Sequence, residues 1–213
     1  MATKILFQGD SITDCGRNTE NGSMLSIGQG YAAICCAELM NKFPKEYEIT
    51  NRAVSGSRIV DTYCNIKCNC WNLNPDILSI LIGVNDVWHE ISPEKNGVDV
   101  KRYENLYRMI IEETKERFPN IKMIIMEPFV LKSHKTEEHW EEFRSEVKLR
   151  ADVAKKAAEE YGLIFVPLQD KFDKAAQAIN DASYYLADGV HPTPAGHRII
   201  ADAWLDAFYK NLR

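Results

Sequence analysis

Two rhythms of apolar positions alternate along the chain. Short, nearly unbroken runs at Lys4–Gln8, Asp76–Ile82 and Lys122–Met126 predict strands covered on both faces, as in a parallel sheet. Glu48–Asn51 and Leu163–Val166 predict two shorter strands. Between these runs the apolar residues return at helical spacing. Tyr31–Phe43 places Ile34, Cys35, Leu39 and Met40 near one face, and Val100–Phe118 does the same with Tyr103, Leu106, Tyr107, Ile110, Ile111 and Phe118. In Glu138–Tyr161 the inner face is marked by Trp140, Phe143, Val147, Ala151, Ala154 and Ala158, and Gly162 supplies a stop. A final helix starts near Thr193, a good N-cap, with Pro194 suited to the first helical position. Its apolar stripe is Ile199, Ile200, Ala203, Trp204, Ala207 and Phe208. Ile59–Trp71 also reads as a helix, weakened by Asn65, Asn69 and Asn72.

Strands that alternate with helices predict a three-layer α/β domain built on a five-stranded parallel sheet. At 213 residues the chain suits one domain, 1–213, with a sizeable core. In such sheets functional groups gather at the carboxyl ends of the strands.

Composition narrows the classes of function. The chain is 45% hydrophobic and 27% charged with a formal net charge of −5, which gives no electrostatic case for nucleic acid or an anionic membrane. Met1-Ala-Thr-Lys leads directly into the first strand, without a signal-like apolar region or a stretch able to span a bilayer, so a cytoplasmic location is expected. The charged segment around Lys132–Lys156 reads as a solvated helix face. Among six cysteines, adjacent Cys35 and Cys36 read as small apolar residues. Cys64, Cys68 and Cys70 form C-x3-C-x-C, a spacing unlike the usual zinc motifs, so no metal and reduced thiols are expected.

Four blocks carry candidate chemistry, and three of them follow predicted strands: Gly9-Asp10-Ser11, Asn51-Arg-Ala-Val-Ser-Gly56 and Gly83-Val-Asn85-Asp86. The fourth is the late Asp188-Gly-Val-His191-Pro192. Each alone reads as a turn; together they supply what acyl transfer needs. Ser11 is the candidate nucleophile and His191 the base that takes its proton. Asp188, three residues before His191, suits the role of holding the other imidazole nitrogen. Candidate oxyanion donors are the Ser11 and Gly56 backbone amides and the Asn85 side chain. This chemistry requires no metal and no organic cofactor.

These blocks resemble the SGNH hydrolase superfamily, the GDSL-type esterases and lipases, over nearly the whole chain. Its namesake Ser, Gly, Asn and His fall on Ser11, Gly56, Asn85 and His191, with Asp188 completing the triad. Gly-Asp-Ser-Ile replaces the more common Gly-Asp-Ser-Leu, and a glycine that many relatives carry near Arg52–Ala53 is absent. The resemblance implies a flavodoxin-like α/β/α fold. Gly9-Asp-Ser-Ile-Thr-Asp-Cys-Gly-Arg17, Gly28-Gln-Gly-Tyr31, Ile82-Gly-Val-Asn-Asp-Val-Trp88 and Val190-His-Pro-Thr-Pro-Ala-Gly-His197 further resemble intracellular acetylxylan esterases. That narrower likeness implies an acetylated oligosaccharide as substrate and a homo-oligomer. A broad short-chain carboxylesterase, thioesterase or lysophospholipase, or a non-catalytic carbohydrate binder on the same fold, are the competing readings.

The remaining candidates have structural explanations beside functional ones. Trp88 could stack on a sugar or serve the core or an interface. Asp10 could touch substrate, although anchoring turn amides is its simpler role, and Asp86 reads similarly. Arg17 and Arg58 could bind polar substrate groups or form ion pairs. His197 lies in the final helix as a non-catalytic residue, and His89, His134 and His139 form no metal motif.

Overall fold

The computed structural model describes residues 2–20, 23 and 26–213. Five parallel strands, β1 (Thr3–Gly9), β2 (Tyr47–Asn51), β3 (Ile77–Leu81), β4 (Lys122–Met126) and β5 (Ile164–Val166), form one sheet in the order β2-β1-β3-β4-β5. The short helix α1 (Ser11–Asp14) follows β1, and α2 (Tyr31–Lys42) leads to β2. Beyond β2 come α3 (Ile59–Cys64) and α4 (Ile66–Asn69); beyond β3, α5 (Val84–Ile91) and α6 (Val100–Arg117). α7 (Trp140–Glu160) precedes β5, and α8 (Gln169–Ile179) and α9 (Pro194–Leu212) end the chain.

Period-two alternation divides the strand side chains between two apolar layers. Ile5, Phe7, Ile77, Leu81, Ile124 and Met126 pack with residues of α2, α8 and α9, including Leu39, Phe172 and Trp204. Leu6, Leu78, Ile80, Met123 and Ile125 pack on the opposite face with α3, α4 and α6. α7 serves both layers, Phe143 and Val147 in the first and Val153, Ala154, Ala157 and Ala158 in the second. This is the expected three-layer arrangement. Thr193 caps α9 by accepting the Gly196 N–H, with Pro194 in the first turn as its residue type predicts.

Three expectations need correction. The helix expected over Ile59–Trp71 is interrupted: Asn65, at φ −99° and ψ 5°, ends α3 and precedes α4, and Trp71–Leu73 is a 3-10 turn. Met40 does not share the buried face of α2; it is 57% exposed. α5 and α8 are additional helices. Both carried a readable signal, since Val84, Val87, Trp88 and Ile91, like Phe172, Ala175, Ala176 and Ile179, repeat at i, i+3, i+4, i+7. The cysteines are free thiols, with Cys35 and Cys70 buried and Cys64 and Cys68 exposed. Among the described residues no helix is long and apolar enough to cross a membrane, and no cluster of three or more His, Cys, Asp or Glu could hold a metal.

Candidate active site

β1 lies between β2 and β3, so the segments leaving these three strands meet at one edge of the sheet. Ser11 begins α1 directly after β1, and Asp10 caps that helix by accepting the Ile12 N–H at 2.9 Å. The segment after β2 is tied to this turn. Val54 N–H donates to the Gly9 carbonyl at 3.1 Å, and the Ser55 N–H and hydroxyl both donate to Asp14, at 3.1 and 2.6 Å. Gly56 follows at φ +81°, a backbone shape that side chains disfavour. A Cβ there would meet nothing within 4 Å, so its face of the turn is open.

The fourth block arrives from a sequence distance of 180 residues. Ser11 Oγ stands 2.8 Å from His191 Nε2, and His191 Nδ1 stands 2.8 Å from Asp188 Oδ2. The other carboxylate oxygen of Asp188 accepts the Val190 and His191 backbone N–H groups at 3.0 and 2.8 Å. These three hydrogen bonds use Asp188 as acceptor only, so Nδ1 carries the imidazole proton and the Nε2 lone pair faces Ser11. Burial tends to raise the Asp188 carboxyl, but the hydrogen bonds from His191 and the two amides overcome it and hold the group at about 2. The hydrogen bond to Asp188 raises His191 above its ordinary 6.5, against partial desolvation.

The chain between Asp188 and His191 is itself braced. Leu131 N–H donates to the Gly189 carbonyl at 2.9 Å, and the Lys135 N–H to the Asp188 carbonyl at 3.2 Å. Gly189 has φ +97°, and a Cβ there would lie 2.2 Å from the Thr136 hydroxyl, so glycine is required.

Asn85 sits in the first turn of α5, 8% exposed, and donates from Nδ2 to the Ser57 carbonyl at 3.1 Å. Its amide has two N–H groups, and Ser57 takes one. Trp88, one turn further, is half-buried. Its ring centroid lies 6.1 Å from that of His191 and 5.6 Å, edge-on, from that of Phe143. The indole therefore spans the core and the rim beside the imidazole.

The other candidates are engaged with partners within the protein. Asp10, considered for substrate contact, is 1% exposed and turned inward, where burial raises its carboxyl to about 7. The contact it makes is the hydrogen bond from the Ile12 amide. Arg17 pairs with Asp14 at 3.2 Å and donates to the Ala53 carbonyl, and Arg58 pairs with Asp61 at 2.8 Å. His197 is buried; its Nδ1 accepts the Tyr31 N–H at 3.1 Å, which puts the proton on Nε2, 3.2 Å from the Cys15 sulfur. Burial lowers it to about 4. A cavity of about 490 Å³ between α5 and α7, around Arg150, includes neither Ser11 nor His191.

A doubly covered parallel sheet with serine, imidazole and carboxylate aligned at its carboxyl edge is the architecture of the SGNH hydrolases. The chain belongs to the GDSL-like Lipase/Acylhydrolase family, whose model matches residues 7–199. It is 33% identical over 209 residues to an acetylxylan esterase from Geobacillus stearothermophilus, covering 95% of this chain and 92% of that protein. Among solved structures, a protein assigned as a GDSL-like lipase from Parabacteroides merdae superposes with a TM-score of 0.89 at 37% identity, covering 96% of this chain and 94% of that one. The acetylxylan esterase Axe2 from Geobacillus stearothermophilus gives a TM-score of 0.85 at 32% identity, covering 96% and 93%.

Proposed function

We propose that this chain is a serine esterase that removes short acyl groups, chiefly acetyl, from oligosaccharides such as acetylated xylo-oligosaccharides. The observation that carries the reading is the Ser11–His191–Asp188 chain, with both links at 2.8 Å. His191 Nε2 accepts the Ser11 proton as Oγ attacks the ester carbonyl. The tetrahedral oxyanion is met by the Ser11 and Gly56 amides and the remaining Asn85 N–H. Collapse breaks the bond to the sugar oxygen, which takes the proton from His191, and leaves Ser11 acetylated. Water, deprotonated by the same imidazole, then attacks and releases acetate.

The acetylxylan esterases among the relatives support the substrate class, and Trp88 offers a ring against which a sugar can stack. A panel of acetylated xylo-oligosaccharides, other acetylated sugars and acyl esters of graded length tests it. The highest kcat/KM is expected on acetylated xylo-oligosaccharides, with activity falling as the acyl chain lengthens. An optimum on long acyl chains would reassign the enzyme as a lipase.

The pH profile follows from His191. Its neutral form is the base, so kcat/KM should rise with pH, with a midpoint above the ordinary imidazole value of 6.5. Stability runs the other way for this group. A raised folded value means its contribution is complete below 6.5 and is lost as pH climbs through the folded value. Full activity at pH values well below 6.5 would remove His191 as the base.

A further inference from the structure

Gly56 has no packing of its own to hold it, because the space around its Cβ position is open. Its amide is placed by its neighbours. On the upstream side, Asp14 holds Ser55 by two hydrogen bonds. On the downstream side the hold comes from two consecutive residues of α5. Asn85 binds the Ser57 carbonyl at 3.1 Å, and both carboxyl oxygens of Asp86 face the Ile59 N–H, at 3.0 and 3.2 Å.

Asp86 is completely buried, a costly position for a carboxyl, and it serves more than one partner. Its main-chain carbonyl accepts the Val98 N–H at 2.9 Å. The strap through Val98 is held in turn by buried Arg150, which donates to the Val98 carbonyl at 2.6 Å, and by Arg58, which donates to the Asn96 carbonyl. Asp86 thus joins the Gly56 turn, the helix that presents Asn85, and the 96–98 strap.

We infer that Asp86 is a positioning residue for the oxyanion pocket: by fixing the Ile59 amide it keeps the Gly56 N–H in register with the Asn85 amide and Ser11. The inference rests on the serine-esterase reading above. Its effect belongs in the transition state, where the oxyanion forms, and not in ground-state binding.

The test compares p-nitrophenyl acetate hydrolysis with inhibition by phenylboronic acid, which forms a tetrahedral adduct on a nucleophilic serine. Asp86→Ala is expected to lower kcat by about 10–100-fold, less than outright loss of an oxyanion donor, with KM within about twofold. Boronate affinity should fall with kcat. Asp86→Asn keeps an acceptor oxygen for the Ile59 N–H and should recover most of the activity. Ile59→Pro removes the donor instead of the acceptor and serves even where Asp86→Ala does not fold. Proline is tolerated at the first position of a helix, and Arg58 before it is already extended, at φ −97° and ψ 176°. Ile59→Pro should reproduce the kcat loss. Unchanged kcat in folded Asp86→Ala or in Ile59→Pro, a loss carried by KM, or Asn no better than Ala would overturn the inference. Those results leave Ser11-dependent turnover in the wild type, whereas its absence would remove the esterase reading as well.

Discussion

Ser11→Ala is expected to lower kcat for p-nitrophenyl acetate by about 10⁴–10⁶-fold, the range for removing the nucleophile of a serine hydrolase. The substitution deletes a single oxygen. The Ser11 amide stays in place at the start of α1, the Asp10 cap to Ile12 does not involve the hydroxyl, and alanine suits a helical position. Folding should therefore be conserved. A half-exposed site of this kind typically costs under about 0.5 kcal/mol, or a melting shift within about 2 °C for a domain of this size. The acetylated enzyme, trapped by acid quench and read by mass spectrometry, should appear in the wild type and vanish in the variant. Equal turnover by both proteins would exclude Ser11 as the nucleophile.

Asp188→Asn is the second large effect, a fall in kcat of about 10⁴-fold at nearly unchanged geometry. The asparagine oxygen can keep the Val190 and His191 backbone N–H groups, which now bind one carboxylate oxygen at 3.0 and 2.8 Å. Its NH2 then faces Nδ1, so the imidazole must present a lone pair there and move its proton to Nε2. That proton points at Ser11, and the base is lost. The remaining activity should also show its midpoint at a lower pH than the wild type, because the Asp188 hydrogen bond is what raises His191. Wild-type rates in Asp188→Asn would show that Asp188 does not orient the imidazole.

Much of this could be read from local pattern. Apolar runs located β1, β3 and β4 to within a residue or so, since a strand covered on both faces must be apolar along its length, and the shorter Glu48–Asn51 and Leu163–Val166 segments fall on β2 and β5. Helices with a wide apolar face, such as α6 and α7, were equally legible. Thr193-Pro194 marked the start of α9 because capping is a local event. The misses have local causes too. Asn65, one of three weak helix formers in the Ile59–Trp71 segment, is where that helix breaks. α5 and α8 are only 8 and 11 residues long, and their apolar repeats were hidden by Asn85-Asp86 and by alanines.

The candidate site divides in the same way. The residue types and the Asp-x-x-His spacing named Ser11, Gly56, Asn85, Asp188 and His191 before any geometry was known, because acyl transfer needs a nucleophile, a base, an orienting carboxylate and oxyanion donors. Sequence could not decide between substrate contact and helix cap for Asp10, which depends on which way a side chain turns. Nor could it rank Asp86 above an ordinary turn residue. Tertiary structure alone decided that β1 lies between β2 and β3, that His191 reaches Ser11 across 180 residues, that the Trp88 ring stands beside His191, and that Asp86 ties the Gly56 turn to α5. Periodicity and capping are fixed by neighbours within a few residues. Strand order and the meeting of four distant loops depend on contacts between segments far apart in the chain, which local pattern does not encode.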